Sequence, residues 1–323
     1  MDSSSHRLMR LLPDWRKEDA LRTEKRLSTW PVHASSPAHR SGWRVALALV
    51  GVLLTPALAR AACTEVRVRK EWRALSSAEH RSFFQAVKKL QVQPAQGQPS
   101  KYDQLVKLYA DHYETMSASA AFLPWHRHYL HVFEQELRQI APTVTLPYWD
   151  WSAHSQHPER APVWGDNAFG GNGMGPASCV VASAFKAYKP RYPVESCLKR
   201  SFSGGTTIAD LPSAEELRTV LNQSATYDSM RRAIEGSQGS VHIYIGGHMA
   251  TMYAPNDPLF FLHHAFVDKL WADWQTLEPE HRTAYGGEKK NGSLATLQDT
   301  LPGFPESTVQ SVIKTQSLCY TYR

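Results

Sequence analysis

Histidine recurs on the apolar side of segments that otherwise read as buried helices, and this narrows the folds open to the chain. From Tyr102 to Met116, the residues Leu105, Tyr109, His112 and Met116 fall at i, i+4, i+7 and i+11, on one helical face. A second segment begins after Phe122-Leu-Pro-Trp125 and runs to about Ile140. It carries His126, Leu130, Phe133 and Leu137 on one stripe, with Pro142 as its stop. A third, Phe260–Trp274, brings His264, Val267 and Trp271 together, and His242 stands ahead of it before Ile243-Tyr-Ile-Gly-Gly247. Imidazoles on the inward faces of packed helices are what a buried metal site needs. With 15 histidines in the chain, chance placements are common, so spacing alone points to metal only weakly.

The remaining segments agree with a mainly α fold. Ser76-Ser-Ala-Glu79 and Ser213-Ala-Glu-Glu216 are capping boxes, the first followed by Phe83, Phe84, Val87 and Leu90 at helical spacing. A short helix is predicted to about Leu221 and another over Tyr227–Glu235. The stretch from Ala153 to Gly205 is rich in Gly and Pro and reads as loop. No alternating strand pattern and no repeat is found. With 42% hydrophobic and 11% aromatic residues, the chain can bury a sizeable core.

The net charge of +6 does not imply a nucleic-acid partner. Residues 1–61 hold ten Lys/Arg against five Asp/Glu, a surplus of +5, and the rest holds 26 against 25. That leader contains Val45–Ala59, an apolar run behind Arg40 and Arg44 that ends in Ala59-Arg60-Ala61. This describes an export signal over residues 45–61 cleaved after Ala61, preceded by an unusually long segment, residues 1–44. An uncleaved signal-anchor is the alternative; after cleavage no membrane attachment is expected. Residues 62–323 then form the functional domain. Export makes disulfides the expected state of Cys63, Cys179, Cys197 and Cys319. Of three possible pairings, Cys63–Cys319 would tie the mature ends together and Cys179–Cys197 would close the loop region. Asn222-Gln-Ser and Asn291-Gly-Ser are glycosylation acceptors suited to an extracellular surface.

Several longer motifs occur in order over residues 63–323. They are Phe122-Leu-Pro-Trp-His-Arg127 with Tyr129 and Phe133-Glu134, then Leu146-Pro-Tyr-Trp-Asp-Trp151. Val241-His242 with Gly246-Gly247 follows, and after it Asn256-Asp-Pro-Leu-Phe-Phe-Leu-His-His264 with Asp268 and Trp271. Leu318-Cys-Tyr-Thr-Tyr322 stands near the C-terminal end and Val68-Arg-Lys-Glu-Trp72 near the start of this stretch. Together these motifs resemble the tyrosinase branch of the type 3 copper proteins. The resemblance implies a four-helix bundle core without the C-terminal lid of many relatives, two copper ions, O₂, and a small phenolic substrate. It also implies that Arg69 is the partner of the two tyrosines, Tyr320 and Tyr322.

In that family six imidazoles hold the copper pair, three on each ion (CuA and CuB). Carried over position by position, the resemblance assigns the third CuA ligand to His126 and the last two CuB ligands to His242 and His264. The other three positions depart from it. The first CuA ligand falls near Tyr109, the second on Ser117, and the first CuB ligand on Gln238. A carboxamide, an alcohol and a phenol are poor ligands for Cu(I), so this set does not suit a copper pair that binds O₂ reversibly. His112, three residues after Tyr109 on the same face, is a candidate substitute. No catalytic residue beyond the metal ligands is implied. Three readings follow: a copper oxidase of phenols or o-diphenols, a mononuclear metal protein, or a secreted binding module that keeps the fold without catalysis. The number of ions, one, two or none, separates them.

Overall fold

A computed structural model describes residues 63–323; the expected leader and export signal lie outside the described residues. Helix α1 spans Ser77–Leu90 behind the Ser76/Glu79 capping box, and α2 spans Lys101–Met116 behind an equivalent box of Ser100 and Asp103. Helix α3 is Phe122–Ile140 and starts four residues earlier than its sequence suggests, taking in Phe122-Leu-Pro-Trp125. Pro124 then falls in the first turn, where a missing N–H costs no helical bond. Helix α4 is Ala214–Gln223, α5 is Tyr227–Ile245, α6 is Leu259–Leu277, and α7 is the short turn Val309–Val312.

Helix α5 runs ten residues beyond the expected end at Glu235. Gly236 and Gly239 lower helix propensity by about 1 kcal/mol each relative to Ala, but burial of Ile234, Val241 and Ile245 on one face carries the helix through them. It stops at Gly246, whose φ of 67° is left-handed and whose position leaves no room for a Cβ beside the Ser201 carbonyl. Helix α6 is buried almost all round, from Leu259 to Trp274, as expected of a helix at the centre of a domain. It packs against α3 and α5, and α3 in turn packs against α1 and α2. The domain is mainly helical.

Four short strands escape the sequence reading, because two to five residues are too few to show alternation. Strand β1 (Arg67–Arg69) pairs in parallel with β4 (Tyr320–Tyr322), so the two ends of the described chain meet. Strands β2 (Thr300–Leu301) and β3 (Phe304–Thr308) form an antiparallel hairpin. The disulfides are Cys63–Cys319, which reinforces the meeting of the ends, and Cys179–Cys197, which closes the loop region.

Beneath the β1–β4 pair lies a buried network of charges. Glu134 on α3 accepts from Arg69 Nη2 at 2.9 Å, from Arg67 Nε at 3.3 Å and from the Leu146 backbone N–H at 2.8 Å. Burial alone would push the Glu134 carboxyl up; Arg69 and Arg67 outweigh it and hold the group below its usual range. Asp268 on α6 accepts from Arg127 Nε at 2.6 Å and from the hydroxyls of Tyr320 at 2.5 Å and Tyr322 at 2.7 Å. The Arg69 guanidinium also lies 3.7 Å from the centroid of the Tyr320 ring. A second buried pair, Arg200 with Asp257, fixes the loop region to the start of α6, with Arg200 Nε and Nη2 at 2.6 and 2.8 Å from the carboxylate.

Asp268→Ala is expected to destabilise the fold by about 3–5 kcal/mol, because it leaves buried guanidinium charge uncompensated. Chemical denaturation measures this; a change under about 1 kcal/mol would show that the network is not supporting the core.

Candidate functional site

Helices α3, α5 and α6 bring four imidazoles together. His126 sits in the second turn of α3, and its Nδ1 lies 2.7 Å from the Phe122 carbonyl. A carbonyl only accepts, so Nδ1 carries the proton and Nε2 presents a lone pair; Nε2 is buried with no hydrogen-bond partner. His242 on α5 follows the same pattern. Its Nδ1 donates to the Met249 carbonyl at 2.6 Å, and its Nε2 stands 3.0 Å from Nε2 of His264. Holding one ring nitrogen by a backbone carbonyl fixes the tautomer and aims the other, as metal-binding histidines require.

His263 and His264 enter from α6, both buried, each with an unpartnered Nδ1. One ring nitrogen from each of His242, His263 and His264 lies within 4.8 Å of the others. The three rings meet steeply, with interplanar angles of 79° for His242–His263, 75° for His263–His264 and 57° for His242–His264. His126 stands differently. It lies flat on His264, with centroids 4.2 Å apart and planes within 5°.

The sequence identifies His126, His242 and His264, and the fold brings all three into this cluster. His263 was passed over in favour of its neighbour; two adjacent histidines on a helix buried all round were the signal that could have raised it. Of the three positions read as lost ligands, Gln238 and Tyr109 border the cluster. Gln238 is one turn before His242, with Oε1 3.4 Å from His263 Nε2. Tyr109 is 5.8 Å from the His126 ring and packs against Trp125, Tyr129 and Phe260. Burial pushes its phenol well above the usual range. Ser117 caps the end of α2, its hydroxyl 3.5 Å from Met116 Sδ.

The remaining histidines are elsewhere. His112 faces the hairpin turn, where a Cβ on Gly303 would meet its ring, and the fold does not bring it to the cluster. His128 packs on Phe304 and contacts Ser307, and His131 lies beside it. His248 Nδ1 accepts the Lys199 N–H. Glu235, a carboxylate the sequence did not single out, accepts the Ala118 N–H at 2.5 Å and pairs with Arg231. Asn222 near the end of α4 and Asn291 in a turn are both exposed.

Electrostatically the cluster is a set of neutral donors. Burial lowers His126 to about 3 and His242 to about 4, and takes His263 and His264 well below the usual imidazole value. His242 is partly exposed as a residue, although both its nitrogens are engaged. Around it on α5, residues 237–240 are partly exposed and Ile243 is exposed, while Val241 is buried.

These depressed values set an acid limit for the metal-free chain. Above a pH of about 6.5 the rings are neutral both folded and unfolded, so their effect cancels. Below it the unfolded chain takes up protons that the folded chain refuses, until the folded rings titrate near 4 or lower. Stability is therefore expected to fall by roughly 1 kcal/mol per pH unit for each ring as pH drops from about 6.5. Urea midpoints in the presence of a chelator test this; a flat profile between pH 7 and 5 would contradict it.

Residues 84–277 match the family model described as the common central domain of tyrosinase. The chain is 38% identical to a tyrosinase of Streptomyces glaucescens over 240 residues, covering 66% of this chain and 84% of that protein. It is 33% identical to a tyrosinase of Streptomyces antibioticus over 274 residues, covering 76% and 96% respectively. Among solved structures, a variant of the polyphenol oxidase of Thermothelomyces thermophila superimposes with a TM-score of 0.65 at 24% identity, over 80% of this chain and 89% of that one. With its helices and imidazole cluster arranged as described, the chain belongs to the tyrosinase family of type 3 copper proteins.

Proposed function

We propose that the chain is an exported member of the tyrosinase family that binds one copper ion where its relatives bind two, and that oxidation of phenols by a copper pair is not its chemistry. The observation carrying this reading is the state of the three substituted positions. Tyr109 is a neutral phenol locked into an aromatic cluster, Ser117 serves as a helix cap, and Gln238 offers a carboxamide. Among the described residues, His126 is therefore the one imidazole that the resemblance leaves for the CuA side. His112, the candidate substitute, is turned toward Gly303.

The donors that remain fit one ion well. Neutral imidazoles suit copper in both oxidation states and zinc as well. Four rings lie close together, and the Nε2 atoms of His126 and His242 are aimed by proton-bearing Nδ1 atoms. Copper held there would supply one-electron redox chemistry and Lewis acidity. The chain's own contribution is to orient the rings through the Phe122 and Met249 carbonyls and to keep them unprotonated by burial. Export is supported by the apolar run Val45–Ala59 followed by a cleavage position after Ala61, and by two disulfides, with exposed Asn222 and Asn291 available for glycosylation. Among the described residues no helix is long and apolar enough to cross a membrane.

A non-catalytic binding module on the same fold is the second reading. The observation favouring it is the dense packing of Tyr109 with Trp125, Tyr129 and Phe260 on the CuA side.

Elemental analysis of the purified full chain decides between these. Close to one copper per chain is expected, lost in His242→Ala, with the electron paramagnetic resonance of an isolated Cu(II). Two copper ions per chain that are silent because they are coupled would overturn the proposal, and a chain that takes up no metal would favour the binding module.

A further inference from the structure

We infer that the third ring on the single ion is His263, giving a His242–His263–His264 centre with His126 outside the coordination sphere. This rests on the single-ion reading above and adds the identity of the ligands. The family resemblance gives the role at the His263-His264 pair to His264 alone, so the assignment departs from what the relatives imply.

Geometry is the first argument. An imidazole binds a metal through a lone pair in the plane of its ring, at about 2.0–2.1 Å for zinc. Two stacked rings with parallel planes share no in-plane point, and His126 and His264 are such a pair, 4.2 Å apart at 5°. An ion well placed for His264 is therefore badly placed for His126. His242, His263 and His264 have steeply inclined planes, 57–79° apart, and donor nitrogens within 4.8 Å of one another. Three rings inclined in this way are able to converge on one point.

The second argument is the substitution at position 238. Nε2 of His263 faces Oε1 of Gln238 at 3.4 Å, so this ring already looks toward the position where the missing first CuB imidazole would stand. That separation is long for a hydrogen bond, and His263 Nδ1 has no partner although it is buried. A buried imidazole left so weakly engaged carries a desolvation cost that a metal bond offsets. The carboxamide oxygen of Gln238 completes the set as a weak fourth donor. Three neutral nitrogens and one oxygen suit Cu(II) or Zn(II).

The test is titration of the chelator-stripped full chain with Cu(II), read by calorimetry and by electron paramagnetic resonance, in wild type, His263→Ala and His126→Ala. Wild type is expected to bind one ion. His263→Ala should weaken binding beyond the about 10–100-fold that loss of an outer-shell partner causes, with an altered Cu(II) spectrum. His126→Ala should keep the stoichiometry and the spectrum. Should His263→Ala fail to fold by circular dichroism, His263→Gln carries the same expectation with a side chain of similar size. One ion lost in His126→Ala but retained in His263→Ala would overturn the ligand assignment and leave the single-ion reading standing. Two ions in wild type, or none, would overturn the single-ion reading itself.

Discussion

The β1–β4 pair, helix α3 and helix α6 are joined through two buried carboxylates, Glu134 and Asp268, and the guanidinium groups of Arg67, Arg69 and Arg127. These charges are almost fully removed from water, which is unfavourable unless every one is answered at short range. Here they are answered from four directions: by the N-terminal strand, by α3, by α6 and by the tyrosine hydroxyls of the C-terminal strand. Each partner comes from a different part of the chain, so the network forms only when the whole domain is assembled. It makes the relative placement of α3 and α6 specific. Those helices carry His126 and the His263-His264 pair, so the geometry of the site follows from the geometry of the ion network.

A similar logic holds at the other end of α6. Arg200, from a loop region with little regular structure, grips Asp257 just before the helix begins, and Asp257 Oδ1 also accepts the Leu259 N–H at 3.1 Å. The helix therefore starts at a defined residue, and the two histidines fall about one turn inside it. The disulfide between Cys179 and Cys197 restrains the segment that supplies Arg200. Loop and helix thus cooperate to point His263 and His264 toward α5, where His242 is held by the Met249 carbonyl.

Much of this was legible in the residues. Serine capping boxes mark the starts of α1 and α4, and apolar spacing identifies α2, α3 and α6, since helix caps and periodicity are local properties. The end of α5 was not legible, because Gly236 and Gly239 have low helix propensity and the helix continues through them by burying Val241 and Ile245. The strands were missed because two to five residues are too few to show alternation, and for β1 and β4 the partners lie more than two hundred residues apart, so nothing local encodes that pairing. Arg69 with the two tyrosines entered through family resemblance, whereas Arg67 and Arg127 as members of the same network did not.

At the candidate site the division is sharper. Which chemical groups are available is a property of the sequence: imidazoles at 126, 242, 263 and 264, and a phenol, an alcohol and an amide at 109, 117 and 238. No folding can restore a nitrogen that the chain does not contain. Which of those imidazoles can share an ion is another matter. A lone pair is directional, and the direction of each ring depends on the carbonyl that holds its other nitrogen and on the helix packed against it. Only the tertiary structure laid His126 flat on His264, turned His263 toward Gln238 and directed His112 away, because those orientations come from contacts between helices that are distant in the chain.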